Sequence, residues 1–277
     1  MPEPGPLGKL LRLLGIATAL LWSGFPIYLV VASSLKPGTE IFAVPPTLVF
    51  WPTLEHYERL WREWPEFFRD MRNSLIITAG ATLLTAVTAS AAGYVYSRRR
   101  SGPLAASAFF MLFVRMLPPI IVTLPLFPAV NWLGLSDTHI VLVVLYASFF
   151  VSLATWIMKA FIDQIPVELE EAAIVDGATL GQTLWRVVIP LAAHGLVAAC
   201  VFVLVFSWNE FVFALIFTTR EAKTTPLVIS EMLGSVEGVD WGTLFAASTV
   251  QLVPIVVFVL AAQRYLMAGL SAGAVKG

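Results

Sequence analysis

The stretch 159–190 lies between two long apolar runs and is polar. It contains Glu171-Ala172-Ala173, then Asp176-Gly177, then Val187-Val188-Ile189-Pro190. A carboxylate followed by two alanines and, a turn later, by glycine describes a short helix with a bare shoulder, closed by a residue that tolerates the left-handed backbone. Small side chains at Ala172 and Ala173 let a foreign backbone approach, and Glu171 can accept a charge-assisted bond from it. The chemistry on offer is docking in a partner's groove, with apolar segments on both sides that would feel any movement of that groove. A soluble elbow that merely joins two spans is the plainer reading of the same composition.

Other chemistry is sparse. No Gly-Lys-Ser/Thr loop is present to cradle a phosphate, so the chain has no P-loop and energy must come from elsewhere. The single cysteine, Cys200, sits in an apolar run with no Cys/His metal spacing and no activating base. His139 and His194 fall close to the ends of apolar runs, and no chain of carboxylates links them into a proton relay. Neither a nucleophile with its base nor a metal constellation supports an intramembrane enzyme. A formal net charge of -1 and dispersed basic residues give no footprint for nucleic acid.

The elements that position the hairpin follow from composition. Of 277 residues, 58% are hydrophobic and 13% charged, too little polar surface to clothe a soluble globule. Apolar runs of about 20 residues or more, the length that crosses a bilayer, occupy 13–35, 73–97, 138–158, 187–209 and 241–263. A sixth, 104–126, is interrupted by Arg115, Pro118, Pro119 and Pro125, which predicts a break or kink in its outer half. The first run is too long for a signal peptide and lacks a cleavage pattern, so it reads as a retained span. The fold class is therefore all-α: a polytopic membrane protein with six transmembrane helices in one domain, 1–277.

Orientation comes from the short loops. Arg98, Arg99 and Arg100 mark theirs as cytoplasmic, while 127–136 carries no charge. Both termini and the hairpin then lie in the cytoplasm. The segment 36–72, broken by prolines and rich in tryptophan, predicts short helices at the headgroup level. Within the hairpin, Pro166 and the acidic Glu168, Glu170 and Glu171 predict a helix start, ending near Val175 before the Asp176-Gly177 turn. A second helix is expected over 179–186, with Pro190 marking re-entry into the membrane.

The hairpin's spacing resembles the cytoplasmic coupling motif of ABC importer permeases: Glu-Ala-Ala, three residues, Gly, nine residues, then Ile, one residue, Leu-Pro. It departs only by Val187 for Ile and Ile189 for Leu. Asn73-Ser74, the run Leu133-Gly134-Leu135-Ser136-Asp137-Thr138, Pro166 through Ala173, Trp208-Asn209-Glu210-Phe211 and the ending from Gly269 to Gly277 extend the likeness to the maltose-type carbohydrate branch. The resemblance implies a bacterial or archaeal inner-membrane subunit with the ABC importer permease fold, working as a transporter and not as an enzyme. It further implies a second homologous permease, two cytoplasmic ATPase subunits carrying ATP and magnesium, an extracytoplasmic solute-binding protein and a sugar or polyol substrate. No cofactor is expected on this chain. Its residues Glu171, Ala172, Ala173, Asp176 and Gly177 would couple to the ATPases, and the tail, 266–277, would reach toward them or simply fray.

For the substrate path the residues leave alternatives open. Arg115 either offers forked donors to sugar hydroxyls, or pairs with Glu210, or snorkels to an interface. Trp208 and Phe211 present aromatic faces that could stack on a pyranose beside the Asn209 amide, or they only pack helices together. A permease of the same architecture for a non-carbohydrate solute is the nearest rival. An ion-coupled secondary carrier is a remoter one, since inverted halves and a carboxylate relay are missing.

Overall fold

The computed structural model describes residues 5–235 and 238–273, and every regular element among them is helical. In chain order these are α1 (Pro6–Leu35), a 3-10 turn (Gly38–Glu40), α2 (Glu55–Glu63), α3 (Glu66–Arg98), α4 (Gly102–Met116), α5 (Pro119–Trp132) and α6 (His139–Ile162). The hairpin follows as α7 (Glu168–Val175), α8 (Leu180–Thr183), a π-turn (Leu184–Val188) and α9 (Ile189–Leu191). Then come α10 (Ala193–Trp208), α11 (Val212–Phe217), α12 (Thr225–Leu233) and α13 (Trp241–Gly273).

Among the described residues four helices, α1, α3, α6 and α13, are each long and apolar enough to cross a membrane, and two bent pairs bring the total to six where each pair counts as one span. The first bend, 98° between α4 and α5, has a direct cause in the sequence. Leu117 and Pro118 each precede a proline, which forces both out of the helical region, and their ψ angles are 133° and 135°. The second bend was not foreseen: 187–209 is not one straight span, because Leu180–Leu191 and Ala193–Trp208 meet at 82°. Pro190 does not mark the break either. It sits near the start of a helical turn, where its missing N–H costs little, and the chain turns at Ala192 (φ −87°, ψ 13°). Helix α13 continues to Gly273, so 271–273 are helical, and 274–277 lie outside the described residues.

Two compact units emerge, Met1–Phe67 with Ile229–Val253 and Phe68–Val228 with Pro254–Gly277. In the first, the short helix α2 is tied to the end of α1. The Ser34 and Tyr57 hydroxyls are 2.7 Å apart, and His56 Nε2 donates to the Lys36 carbonyl at 2.8 Å. Gly242 lies against that imidazole so closely that a Cβ there would stand 2.1 Å from His56 Cε1. Asp240 accepts from the Thr243 N–H and hydroxyl at the start of α13, and from Arg59 at 2.7 Å. Burial pushes this carboxyl up, but the Thr243 and Arg59 bonds outweigh it and hold it below the usual range.

The second unit is built around α6. Leu142, Tyr146, Phe150, Ala154, Met158 and Ile162 recur every fourth residue and are all buried, so they form one stripe along the helix. Against it pack Ile77, Ala81 and Ala89 of α3, Ala199 and Val203 of α10, and Phe213 and Phe217 of α11. Since lipid is as apolar as these side chains, close approach is what holds such helices together. Glycines supply it. A Cβ on Gly93 would meet Met158 Cβ at 2.8 Å and the Lys159 backbone nitrogen at 3.1 Å, and one on Gly195 would meet the Phe161 ring at 2.5 Å. Gly93→Ala is therefore expected to destabilise the chain by about 1–3 kcal/mol, read as a lowered melting temperature in detergent. Gly181→Ala, at a helical position with nothing within 4 Å, should be neutral or slightly stabilising.

Candidate functional site

The hairpin begins with a turn over Pro166 and Val167, whose carbonyls receive the first N–H groups of α7. Its acidic first turn, Glu168, Glu170 and Glu171, suits the positive end of the helix. At the other end Gly177 takes φ +85°, the Gly177 N–H bonds the Ile174 carbonyl, and the Ala178 N–H bonds the Ala173 carbonyl, each at 2.9 Å. This doubly bonded, left-handed glycine cap fixes where α7 stops. Thr179 and Gln182 then cap each other reciprocally to start α8. Glu171, Ala172, Asp176 and Gly177 are exposed and Ala173 is half-buried, so all five lie on the hairpin's open side or close to it. Beside them Ile174, Val175 and Leu180 also face outward, an apolar surface on an otherwise polar loop.

Glu170, the residue before Glu171, faces the other way and is buried. Its carboxylate accepts from Arg98 Nε at 2.7 Å and from the Tyr94 hydroxyl at 2.9 Å. Arg98 also donates to the Ile162 and Ile165 carbonyls at 3.1 and 2.9 Å, which closes the exposed end of α6. Lys159 and the Ser97 hydroxyl both bond Asp163, and these bonds outweigh burial and hold its carboxyl below the usual range. One guanidinium thus ties α3, α6 and α7 into a single joint. The sequence signalled Arg98 only as a loop charge, and Tyr94 and Glu170 carried no mark of partnership at all.

Arg115 ends α4 just before the bend, its guanidinium 5.7 Å from the centre of the Phe206 ring. One of its terminal nitrogens is buried without a hydrogen-bond partner. Phe206 stacks in turn on Phe150 and Phe202, which continues an aromatic row along α10. No ion pair joins Arg115 to Glu210 among the described residues. Glu210 instead accepts from the Phe213 and Ala214 N–H groups at 3.0–3.4 Å and so caps α11. Trp208 is buried inside the unit, Asn209 is exposed with its amide donating to the Val205 carbonyl, and Phe211 is half-buried. The structure therefore brings Arg115 to Phe206, a contact the sequence did not flag, and places Trp208 away from the surface.

At the opposite end of α3 a second knot gathers the motifs seen only as family-like tokens. Asp137 sits at φ 58°, and its carboxylate accepts the successive backbone N–H groups of Thr219, Arg220, Glu221 and Ala222, with the Thr219 hydroxyl in addition. Asn73 donates to the Glu221 and Lys223 carbonyls at 2.8 and 3.2 Å and accepts from His139, while Ser74 accepts the Thr225 N–H at 2.8 Å. Burial raises the Asp137 pKa, yet the backbone N–H groups prevail and bring it to about 2.

The chain matches the family described as "Binding-protein-dependent transport system inner membrane component" over residues 86–271. It belongs to that family. Among relatives, this permease is 33% identical over 274 residues to the trehalose/maltose transport system permease protein MalG of Thermococcus litoralis, covering 98% of each chain. It is 35% identical over 257 residues to the trehalose transport system permease protein SugB of Mycobacterium tuberculosis, covering 91% of this chain and 92% of that one. Its fold matches a chain of a bacterial ABC transporter that imports the acidic polysaccharide alginate, with a TM-score of 0.77 at 20% identity over 96% of this permease and 99% of that chain. The permease is thus a multi-pass membrane transport subunit and not an enzyme.

Two variants of the permease test the two knots. Arg98→Gln leaves the buried Glu170 without its countercharge, held by the Tyr94 hydroxyl alone, and should cost about 3 kcal/mol, with hydrogen exchange rising across 166–177 while the middle of α6 stays protected. Asp137→Asn should lower the melting temperature near pH 7. A carboxyl depressed in the folded state stabilises above its unfolded pKa near 4, so the advantage of the wild type must fade as pH falls toward about 2.

Proposed function

We propose that this permease translocates a sugar or polyol handed over by an extracytoplasmic binding protein, paired with a second, homologous permease and driven by two ATP-binding subunits that grip α7. The observation that carries the reading is the two-sided character of that helix. Its outer side is small, apolar and solvent-exposed around Glu171–Gly177, while its inner side is fastened to two membrane helices through Glu170 and Arg98. A surface made for a partner and a joint made for force transmission occur in eight residues. The sugar class is supported by the relatives' transport of trehalose and maltose, as their names state.

ATP with magnesium would act on the partner subunits, whose groove closes and opens around the hairpin. Because α7 is capped at Gly177 and clamped at Glu170, it would move as a rigid lever, carrying α3 and α6 directly and α10 through the π-turn, a two-state rocking motion. The arginine loop is on the same side of the membrane as the hairpin, since Arg98 bonds Glu170. Three consecutive arginines at 98–100 support a cytoplasmic side, and alternate crossings would put both termini there. Along the path Arg115 would turn its unpartnered donor to sugar hydroxyls beside the Phe206 and Phe202 faces, with Asn209 and Phe211 further on. Trp208 and Glu210 would hold that wall from behind.

Uptake into vesicles holding the full transporter and its binding protein tests the lever. Glu171→Lys or Gly177→Val should reduce transport tenfold or more at unchanged membrane levels, the second because a branched side chain at φ +85° costs roughly 1–2 kcal/mol of cap. Normal uptake in both variants would sink the reading.

A further inference from the structure

A cavity of about 1030 Å3 lies where the end of α3, the start of α4 and the last turns of α6 meet. Its walls are of two kinds. Arg99, Arg100 and Lys159 border it near the α3–α4 turn, whereas Phe109, Leu112 and Trp156 line it deeper in the span. Phe109 and Leu112 lie about 10 and 15 Å of helix beyond Gly102, a separation of the order of a lipid headgroup from its first methylenes. The Tyr96 and Ser107 hydroxyls, 2.8 Å apart, fasten α3 to α4 alongside.

The charges at the mouth do not cancel. Arg98 is taken by Glu170, and Lys159 faces Asp163 at 2.6 Å, the carboxylate that also lines the cavity. Arg99 and Arg100 are exposed and have no acidic partner among the described residues. Phe109 is 75% exposed and Trp156 38%, so the apolar wall is uncovered by this chain. A cationic rim above an apolar trough is complementary to an amphiphile with a negative head. A free phosphate would leave the trough empty, and a zwitterionic lipid would bring its own cation to two unneutralised guanidinium groups.

We propose that this cavity is a binding site for an anionic phospholipid, with its phosphate on Arg99 and Arg100 and an acyl chain against Phe109, Leu112 and Trp156. Occupation would brace α4 against α3 and α6 next to the Arg98 joint. The site rests on the chain's place in the membrane and not on what it transports.

The test uses the full-length permease in a neutral detergent, with melting temperature followed against added dioleoyl phosphatidylglycerol, dioleoyl phosphatidylcholine or inorganic phosphate. Phosphatidylglycerol should raise the melting temperature with a half-effect concentration roughly tenfold below that of phosphatidylcholine, as two arginines at a headgroup predict. R99Q/R100Q should lose this preference, R99K/R100K should keep most of it, and R12Q, outside the cavity, should keep all of it. Equal effects of the two lipids, the same shift with inorganic phosphate, or an unchanged preference in R99Q/R100Q would overturn the proposal.

Discussion

An arginine–glutamate pair, its carboxylate buried and its guanidinium largely so, connects the hairpin to the long apolar helices of this protein. Taking two charges out of water is costly, and the cost is tolerable only when geometry is good and the remaining donors and acceptors are used. Arg98 and Glu170 meet that condition through Tyr94 and the carbonyls of Ile162 and Ile165. Those carbonyls include the terminal one of α6, so the pair also completes a helix end that would otherwise be unsatisfied. The consequence is mechanical. The short helix α7 cannot tilt without moving the ends of α3 and α6, to which Glu170 and Arg98 fasten it.

The opposite end of the same unit obeys the same rule with different groups. A loop returning from α11 to α12 has backbone N–H groups to satisfy near a membrane surface, and Asp137 collects a row of them while Asn73 takes the carbonyls that follow. The joint at Arg98 and the knot at Asp137 thus bracket α3, and both are held by polar bonds rather than by apolar area. Between them the contacts are apolar and governed by glycine, because in lipid only close packing discriminates one helix neighbour from another.

Inside the span the few charged groups divide by role. Glu210 serves the start of α11, so its charge is met by backbone dipoles and by the fold itself. Arg115 has an aromatic ring and a spare donor, which is how a site that handles hydroxyls in passing would be furnished. The bend at Leu117–Pro118 follows directly on Arg115 and gives an irregular backbone there, which only a protein-covered or water-lined surface permits.

Much of this was legible in the sequence. Charge-free runs marked the long apolar helices, paired prolines fixed the break after α4, and Glu171 to Gly177 marked a short helix and its cap, because each is a local property of a few adjacent residues. What sequence alone left dark were relations across the chain. The stripe on α6 is hidden because lipid-facing and core-facing positions are equally apolar, so no periodicity separates them. The bend falls at Ala192 and not at Pro190, and Glu170 looks no different from Glu171 until Arg98 arrives from 72 residues away. The sequence determined which segments are long and apolar enough to cross a membrane and where the short helix ahead of Gly177 stops. Tertiary structure alone decided which of two neighbouring carboxylates faces out and which is buried, because burying a charge depends on a countercharge that only the folded chain brings within reach.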